Sequence, residues 1–337
     1  MNLLILGGTL FLGRHLIAAA QARGHRVTLF NRGSDRSTDA DVERLRGDRD
    51  GGLAALDGRR WDAVIDTSGY VPRLVRASAE RLADAADHYT FVSSASVYAD
   101  MDADRIDERA AVAALEDPRT EDVAAHYAAL KAACERAADD AMPGRVLHVR
   151  AGLLVGPYDP TGRFEYWVRR LADGGDVLAP GDPGRPVQAI DARDVADWIV
   201  ARAEAGTTGV FNATASMGSM ADVLDACRTA AAADLEWVDD AFLLGHDVAP
   251  FSEMPLWLPR VWRGLMSLDV SRAAAAGLTA RPIAETIDDT RRWLEAERAS
   301  GAVRPARLAS GVATGAGLDR ARERALLAAW RRDARAA

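Results

Sequence analysis

The chain predicts an α/β fold: a doubly wound parallel sheet with a smaller C-terminal lobe. Three observations carry that prediction. Short apolar runs alternate with amphipathic stretches through the first two hundred residues. Continuous apolar runs suit strands covered on both faces, as in a parallel sheet. A glycine-rich turn joins the first run to the first amphipathic stretch. Such a β-α-β rhythm calls for right-handed crossovers.

Taken in order, the apolar runs fall at residues 3–6, 27–30, 63–65, 89–93 and 145–149. Helical patterns fill 13–23, 72–86 and 121–142. Beyond Arg150, Gly152, Gly156, Pro157, Pro160 and Gly162 mark loops. A helix is expected over 164–172, a Gly- and Pro-rich loop over 174–186 and a short strand over 187–190. A helix over 193–204, a strand over 209–213 and a helix over 220–232 follow. Aromatic residues crowd 248–263, as in an ordered lobe. An amphipathic helix is expected over 283–299 and a terminal helix over 318–332. The expected organisation is a first domain over 1–150, to which 187–213 return, a lobe over 151–300 and a tail over 301–337.

Composition narrows the function. Apolar residues form 49% of the 337, enough for one large domain or a large and a small lobe. The net charge is −8 and Lys and Arg are scattered, so no nucleic-acid partner is expected. Cys134 and Cys227 lack CxxC spacing and a histidine cluster. They read as small buried apolar residues, with no metal site and no disulfide framework. The first residues lack a basic, cleavable leader, and no run approaches the ~20 apolar residues of a membrane span. A cytoplasmic protein without a membrane partner is expected.

The glycine turn reads Gly7-Gly8-Thr9-Leu10-Phe11-Leu12-Gly13, between a strand and a helix. That context raises it above a βα turn shaped by glycine alone. Gly7 permits the turn and Gly13 lets the helix pack close. The first helical N–H groups then face a pyrophosphate. A nicotinamide dinucleotide on a Rossmann-type domain is therefore expected, with Gly7, Thr9, Leu10, Phe11, Leu12 and Gly13 around its phosphates. Leu10 departs from the usual middle glycine, which allows close backbone approach. A leucine there either displaces the cofactor or points away from it.

The second strand ends at Asn31 and Arg32, with no acid to hold the adenosine ribose. Arginine suits a 2′-phosphate in charge and geometry, so NADP(H) is favoured and NAD(H) is the alternative. Asp48, Thr67 and Ser68 fall where the third and fourth strands would offer adenine and ribose contacts.

A serine-rich strand end, Ser93-Ser94-Ala95-Ser96-Val97-Tyr98, precedes a helix carrying Tyr127 and Lys131. Tyrosine and lysine four apart share a helix face. The ammonium would favour tyrosinate and can also reach ribose hydroxyls. A Y-x-x-x-K alone is weak evidence; following a glycine loop and a serine-rich strand end, it is strong.

These features resemble the extended short-chain dehydrogenase/reductase superfamily, in its NAD-dependent epimerase/dehydratase branch. The resemblance spans roughly 1–300 and includes the segments 150–157 and 191–196. The non-glycine loop position is similar to an atypical subgroup. By this resemblance Ser94, rather than Ser93 or Ser96, is the catalytic hydroxyl, Tyr127 the general acid/base and Lys131 its partner. It also implies a homodimer through the Tyr127 helix and its neighbour. Ala95 and Ser96 replace the Asp-Glu pair of the dehydratases, which disfavours dehydration. Arg150-Ala151-Gly152-Leu153 lacks the asparagine that touches a sugar diphosphate, which weakens a nucleotide sugar. Reduction of a small-molecule carbonyl or imine is the first reading. Epimerisation through a transient ketone is the second and a non-catalytic dinucleotide sensor the third. Substrate contacts are expected from Ser96, Arg163, Trp167, Gln188, Trp257 and Arg260. The tryptophans suit a lobe core, and the arginines a solvated surface, equally well.

Overall fold

The computed structural model describes residues 1–33, 42–229, 232–301 and 314–336. They divide into two compact units, the first formed by Met1–Leu154, Ile190–Ala215 and Leu268–Ala280.

Among the described residues, the main sheet of the first unit has seven strands: β1 (Asn2–Leu6), β2 (Arg26–Asn31), β3 (Glu43–Arg46), β4 (Trp61–Asp66), β5 (Ala86–Ser94), β6 (Val146–Ala151) and β7 (Gly209–Ala213). Their order is β7-β6-β5-β4-β1-β2-β3, and every pair is parallel. The sheet is covered by helices that include α1 (Phe11–Ala22), α2 (Pro72–Leu82), α3 (Val123–Ala141) and α4 (Ala192–Glu204). Leu3 and Ile5 of β1 enter the core beneath α1 and α4, while Leu4 and Leu6 enter the core beneath α2 and α3. Apolar layers on both faces explain why β1 is an unbroken apolar run. The order reverses between β1 and β4, the crevice where open α/β sheets take ligands.

Three local differences separate this unit from the sequence expectation. The edge strand β3, Glu-Arg-Leu-Arg, is mostly exposed and so carries no apolar run. Helix α2 stops at Leu82, and strand β5 already begins at Ala86. Helix α3 starts at Val123, where the Asp122 carboxylate accepts the Ala125 N–H at 3.1 Å. It is kinked at His126, so Tyr127 opens its regular part.

The second unit comprises Val155–Ala189, Ser216–Ser267 and Arg281–Ala337. Strand Gly175–Pro180 lies where a loop was expected, paired parallel with Ala233–Val238. Its Val177, Leu178 and Ala179 are fully buried; the glycines and prolines around this short run hid it. The helix expected over 220–232 is Met220–Cys227. The C-terminal helix Arg320–Ala336 packs within this unit, burying Leu326 and Leu327. Its Glu323 makes a buried ion pair with Arg170 at 2.9 Å. Part of the expected tail, 302–313, lies outside the described residues.

Candidate active site

The glycine loop is held by close backbone contact. At Gly7 (φ 93°) a Cβ would stand 2.8 Å from Thr67 Oγ1, and at Gly13 it would stand 2.4 Å from Gly8 Cα. Thr67 donates its hydroxyl to the Leu6 carbonyl at 2.9 Å and accepts the Gly8 N–H at 3.2 Å. Asn31 donates to the Gly7 carbonyl at 3.2 Å and accepts the Gly33 N–H at 2.9 Å. Both residues, expected as cofactor contacts, therefore brace the loop through their side chains. Leu10 is the N-cap of α1 and 43% exposed, so its side chain lies in solvent. No side chain caps this helix, and its first turn holds no acid. Uncapped first-turn amides beside a backbone with no room for a Cβ fit a pyrophosphate. Thr9 and Phe11 are half-buried, with Phe11 edge-on to His15 at 5.9 Å, and Leu12 faces the core.

At the adenosine end, Arg32 is exposed after β2. Arg46 lies against the same turn, its Nε 3.0 Å from where a Gly33 Cβ would be. Asp48 is exposed and accepts the Asp50 N–H at 3.0 Å, an interaction within its own turn. Behind it stands Arg49, which sequence reading missed. Arg49 binds the buried Asp66 with both terminal nitrogens, at 2.7 and 2.8 Å. Arg49 also reaches the hydroxyls of Ser68 at 3.3 Å and Ser78 at 2.6 Å. Tyr89 donates to Asp66 at 2.8 Å. Burial alone would raise the Asp66 carboxyl; the Arg49 guanidinium and the donated hydrogen bonds outweigh it and hold Asp66 below the usual carboxylate range. Asp66 ends a strand, the one signal that could have singled it out.

Tyr127, Lys131 and Glu135 follow one another at four-residue spacing along α3, on one face. Lys131 is 3% exposed. Its Nζ donates to the carbonyls of Gly69 at 2.8 Å and Val92 at 2.6 Å, and lies 4.2 Å from the Phe91 ring centroid. Burial pushes its pKa down to about 8. Helix α3 is thus tied to β5, two residues before Ser94. Tyr127 is half-buried, its ring centroid 6.4 Å from that of Tyr70. Ser94 and Ser96 face each other across 2.8 Å, and Ser94 accepts the Ser96 N–H at 3.2 Å. Ser93 points the other way and donates to Glu135 at 2.5 Å. Glu135 in turn binds Arg150 through two contacts, at 3.0 and 2.8 Å. Arg150 is therefore a buried link between α3 and β6.

The second unit holds the substrate candidates other than Ser96. Trp167 and Trp257 are both core side chains; their indole N–H groups go to the Pro255 carbonyl at 2.7 Å and to Asp240 at 2.8 Å. Of the others, Arg163 stacks on Phe251 at 4.0 Å, Gln188 ends a short strand and Arg260 is exposed. Among the described residues no cluster of three or more His, Cys, Asp or Glu could hold a metal, and no helix is long and apolar enough to cross a membrane.

Comparison with known proteins places this geometry. No curated protein matches the chain. Several solved structures share its fold. UDP-glucuronic acid 4-epimerase from Bacillus cereus, in complex with NAD, is 14% identical with a TM-score of 0.63, covering 90% of this chain and 100% of its own. A putative epimerase from Burkholderia cenocepacia is 21% identical with a TM-score of 0.62, over 88% and 98%. A human epimerase family protein with NADPH is 21% identical with a TM-score of 0.58, over 86% and 100%. Residues 3–214, more than half of the chain, match the NAD dependent epimerase/dehydratase family. With its glycine loop, parallel sheet and Tyr127–Lys131 helix, the chain is an enzyme of that family, within the extended short-chain dehydrogenase/reductases.

Proposed function

We propose that the chain is a nicotinamide-dependent epimerase that inverts a secondary alcohol of a small molecule through a transient ketone. The observation that carries this reading is Lys131, buried between two carbonyls one helical turn from Tyr127 in a chain of this family. Tyr127 takes the proton of the substrate hydroxyl as the carbonyl forms and gives it back when the alcohol is restored. Ser94 orients that oxygen. Lys131 holds a positive charge beside the phenol and toward the cofactor ribose. The cofactor, held by the glycine loop and the first turn of α1, supplies hydride acceptance and return. Reduction was the first expectation from sequence; the family match and the activities named for the neighbouring structures support epimerisation ahead of it.

Arg32 keeps the reductase as a second reading. An exposed arginine with no acid at the end of β2 favours a 2′-phosphate, and so NADP(H) and net reduction. A homodimer through α2 and α3 belongs to the same proposal, and light scattering would measure it.

Calorimetry with NAD(H) and NADP(H), repeated on Arg32→Ala, separates the two chemistries. For the epimerase, dinucleotide co-purifies without exchanging, and UDP-glucuronic acid or UDP-N-acetylglucosamine is converted with no net reduced cofactor consumed. For the reductase, NADPH binds at least about tenfold more tightly than NADH and Arg32→Ala removes the preference. Absence both of a co-purified dinucleotide and of binding by either one would end both readings.

A further inference from the structure

Tyr70 follows the turn 66–69 at the carboxyl end of β4 and is half-buried. In the sheet, β4 lies between β1, which leads into the glycine loop, and β5, which delivers Ser94. A dinucleotide with its pyrophosphate on that loop sends its adenosine half toward β2 and β3 and its nicotinamide half toward β4 and β5. Tyr70 stands on the nicotinamide side of that path.

Lys131 secures it there. The ammonium donates to the carbonyl of Gly69, the residue adjoining Tyr70, and lies 5.3 Å from the Tyr70 ring centroid. The Tyr127 ring is on another side, 6.4 Å away and tilted by 42°. Tyr70 thus joins both members of the Y-x-x-x-K pair, although nothing in its sequence context marks it. Among the described residues its hydroxyl has no hydrogen-bond partner. Burial first, then Tyr127 and the Asp66 carboxylate, push its pKa up, so the phenol stays a protonated donor. The site therefore holds an uncommitted donor on the one side where a ligand is due.

We propose that Tyr70 is a further cofactor-binding residue, donating its phenol hydrogen bond to an oxygen of the nicotinamide half, a ribose hydroxyl or the carboxamide. The assignment rests on the dinucleotide reading above. It makes the tyrosine a contact for one half of the ligand only, and that asymmetry can be measured.

Tyr70→Phe keeps the ring and its packing on Lys131 and removes only the hydroxyl. Calorimetric titration of this variant and of the unaltered protein with NADH, NADPH and ADP tests the assignment. The expected result is a five- to tenfold weakening (about one hydrogen bond) for the dinucleotide that the unaltered protein binds, with ADP unchanged. Unchanged dinucleotide affinity would overturn the assignment. An equal loss for ADP would also overturn it, because Tyr70 would then support the loop rather than touch the nicotinamide half. Failure of the unaltered protein, first freed of any co-purified nucleotide, to bind any of the three would remove the dinucleotide reading itself, and Tyr70's role with it.

Discussion

Lys131 in the first unit and Asp159 in the second are 3% and 2% exposed, and each is hydrogen-bonded to neutral groups, the opposite charges of Asp66 and Glu135 on the one and of Arg163 on the other being outweighed by burial. Lys131 gives its protons to two backbone carbonyls. Asp159 accepts the Thr161 hydroxyl at 2.7 Å and its N–H at 2.8 Å. Burial then drives each toward its neutral form: the lysine falls to about 8 and the aspartate rises to about 6. Close by, the same units bury charges that are paired, Arg150–Glu135 in the first and Arg170–Glu323 in the second. Paired charges act as cross-links. Neutrally solvated ones titrate near physiological pH, and in the first unit that group lies beside Tyr127.

Breaking the cross-links should have the largest effect. Glu135→Ala leaves Arg150 buried without its carboxylate, and Glu323→Ala does the same to Arg170. Each should lower unfolding free energy by about 3–5 kcal/mol in denaturant titrations. The two should differ in hydrogen exchange. Glu323→Ala frees the amides of helix Arg320–Ala336, whereas Glu135→Ala frees those of α3. Equal, delocalised loss in both would break the comparison.

The unpaired groups give smaller effects of opposite sign. Lys131 keeps its proton to about 8 in the folded chain and to 10.5 by its ordinary value. Between those limits the unfolded chain holds the extra proton, so stability should rise with pH by about 3 kcal/mol. Lys131→Met should remove that rise, as urea midpoints across the window would report. Asp159 runs the other way. Its value rises from 3.8 to about 6, so the folded chain holds the extra proton in that window. Stability should fall by slightly less, about 3 kcal/mol at most, as pH climbs through it, and Asp159→Asn should flatten the slope. A slope that survives either substitution would assign it to another group.

Much of the first unit was legible because its information is local. The run in β1, the glycine loop and the four-residue Tyr127–Lys131 spacing are each contained in a few residues, and β7 lies at Gly209–Ala213 as expected. The edge strand β3 was not legible, since an exposed strand has no apolar face to display. Trp167 and Trp257 were ambiguous because an indole serves a core or a ligand equally well; their carbonyl and carboxylate partners lie 88 and 17 residues away. Tyr70, Arg49 and Glu135 carry no motif, and what distinguishes them is what they face.

By itself, the amino-acid sequence determined the α/β class, the glycine loop and the family, because periodicity and motif spacing act over one strand, one turn or one helix. Tertiary structure alone decided that Leu10 lies in solvent, that Ser93 is tied down by Glu135 while Ser94 faces Ser96, and that Lys131 rests on carbonyls from two different segments. These outcomes depend on burial and on partners distant in the chain, such as Gly69, 62 residues from Lys131. Desolvation and hydrogen bonding are set by which groups the fold brings together, and residue order alone does not specify that.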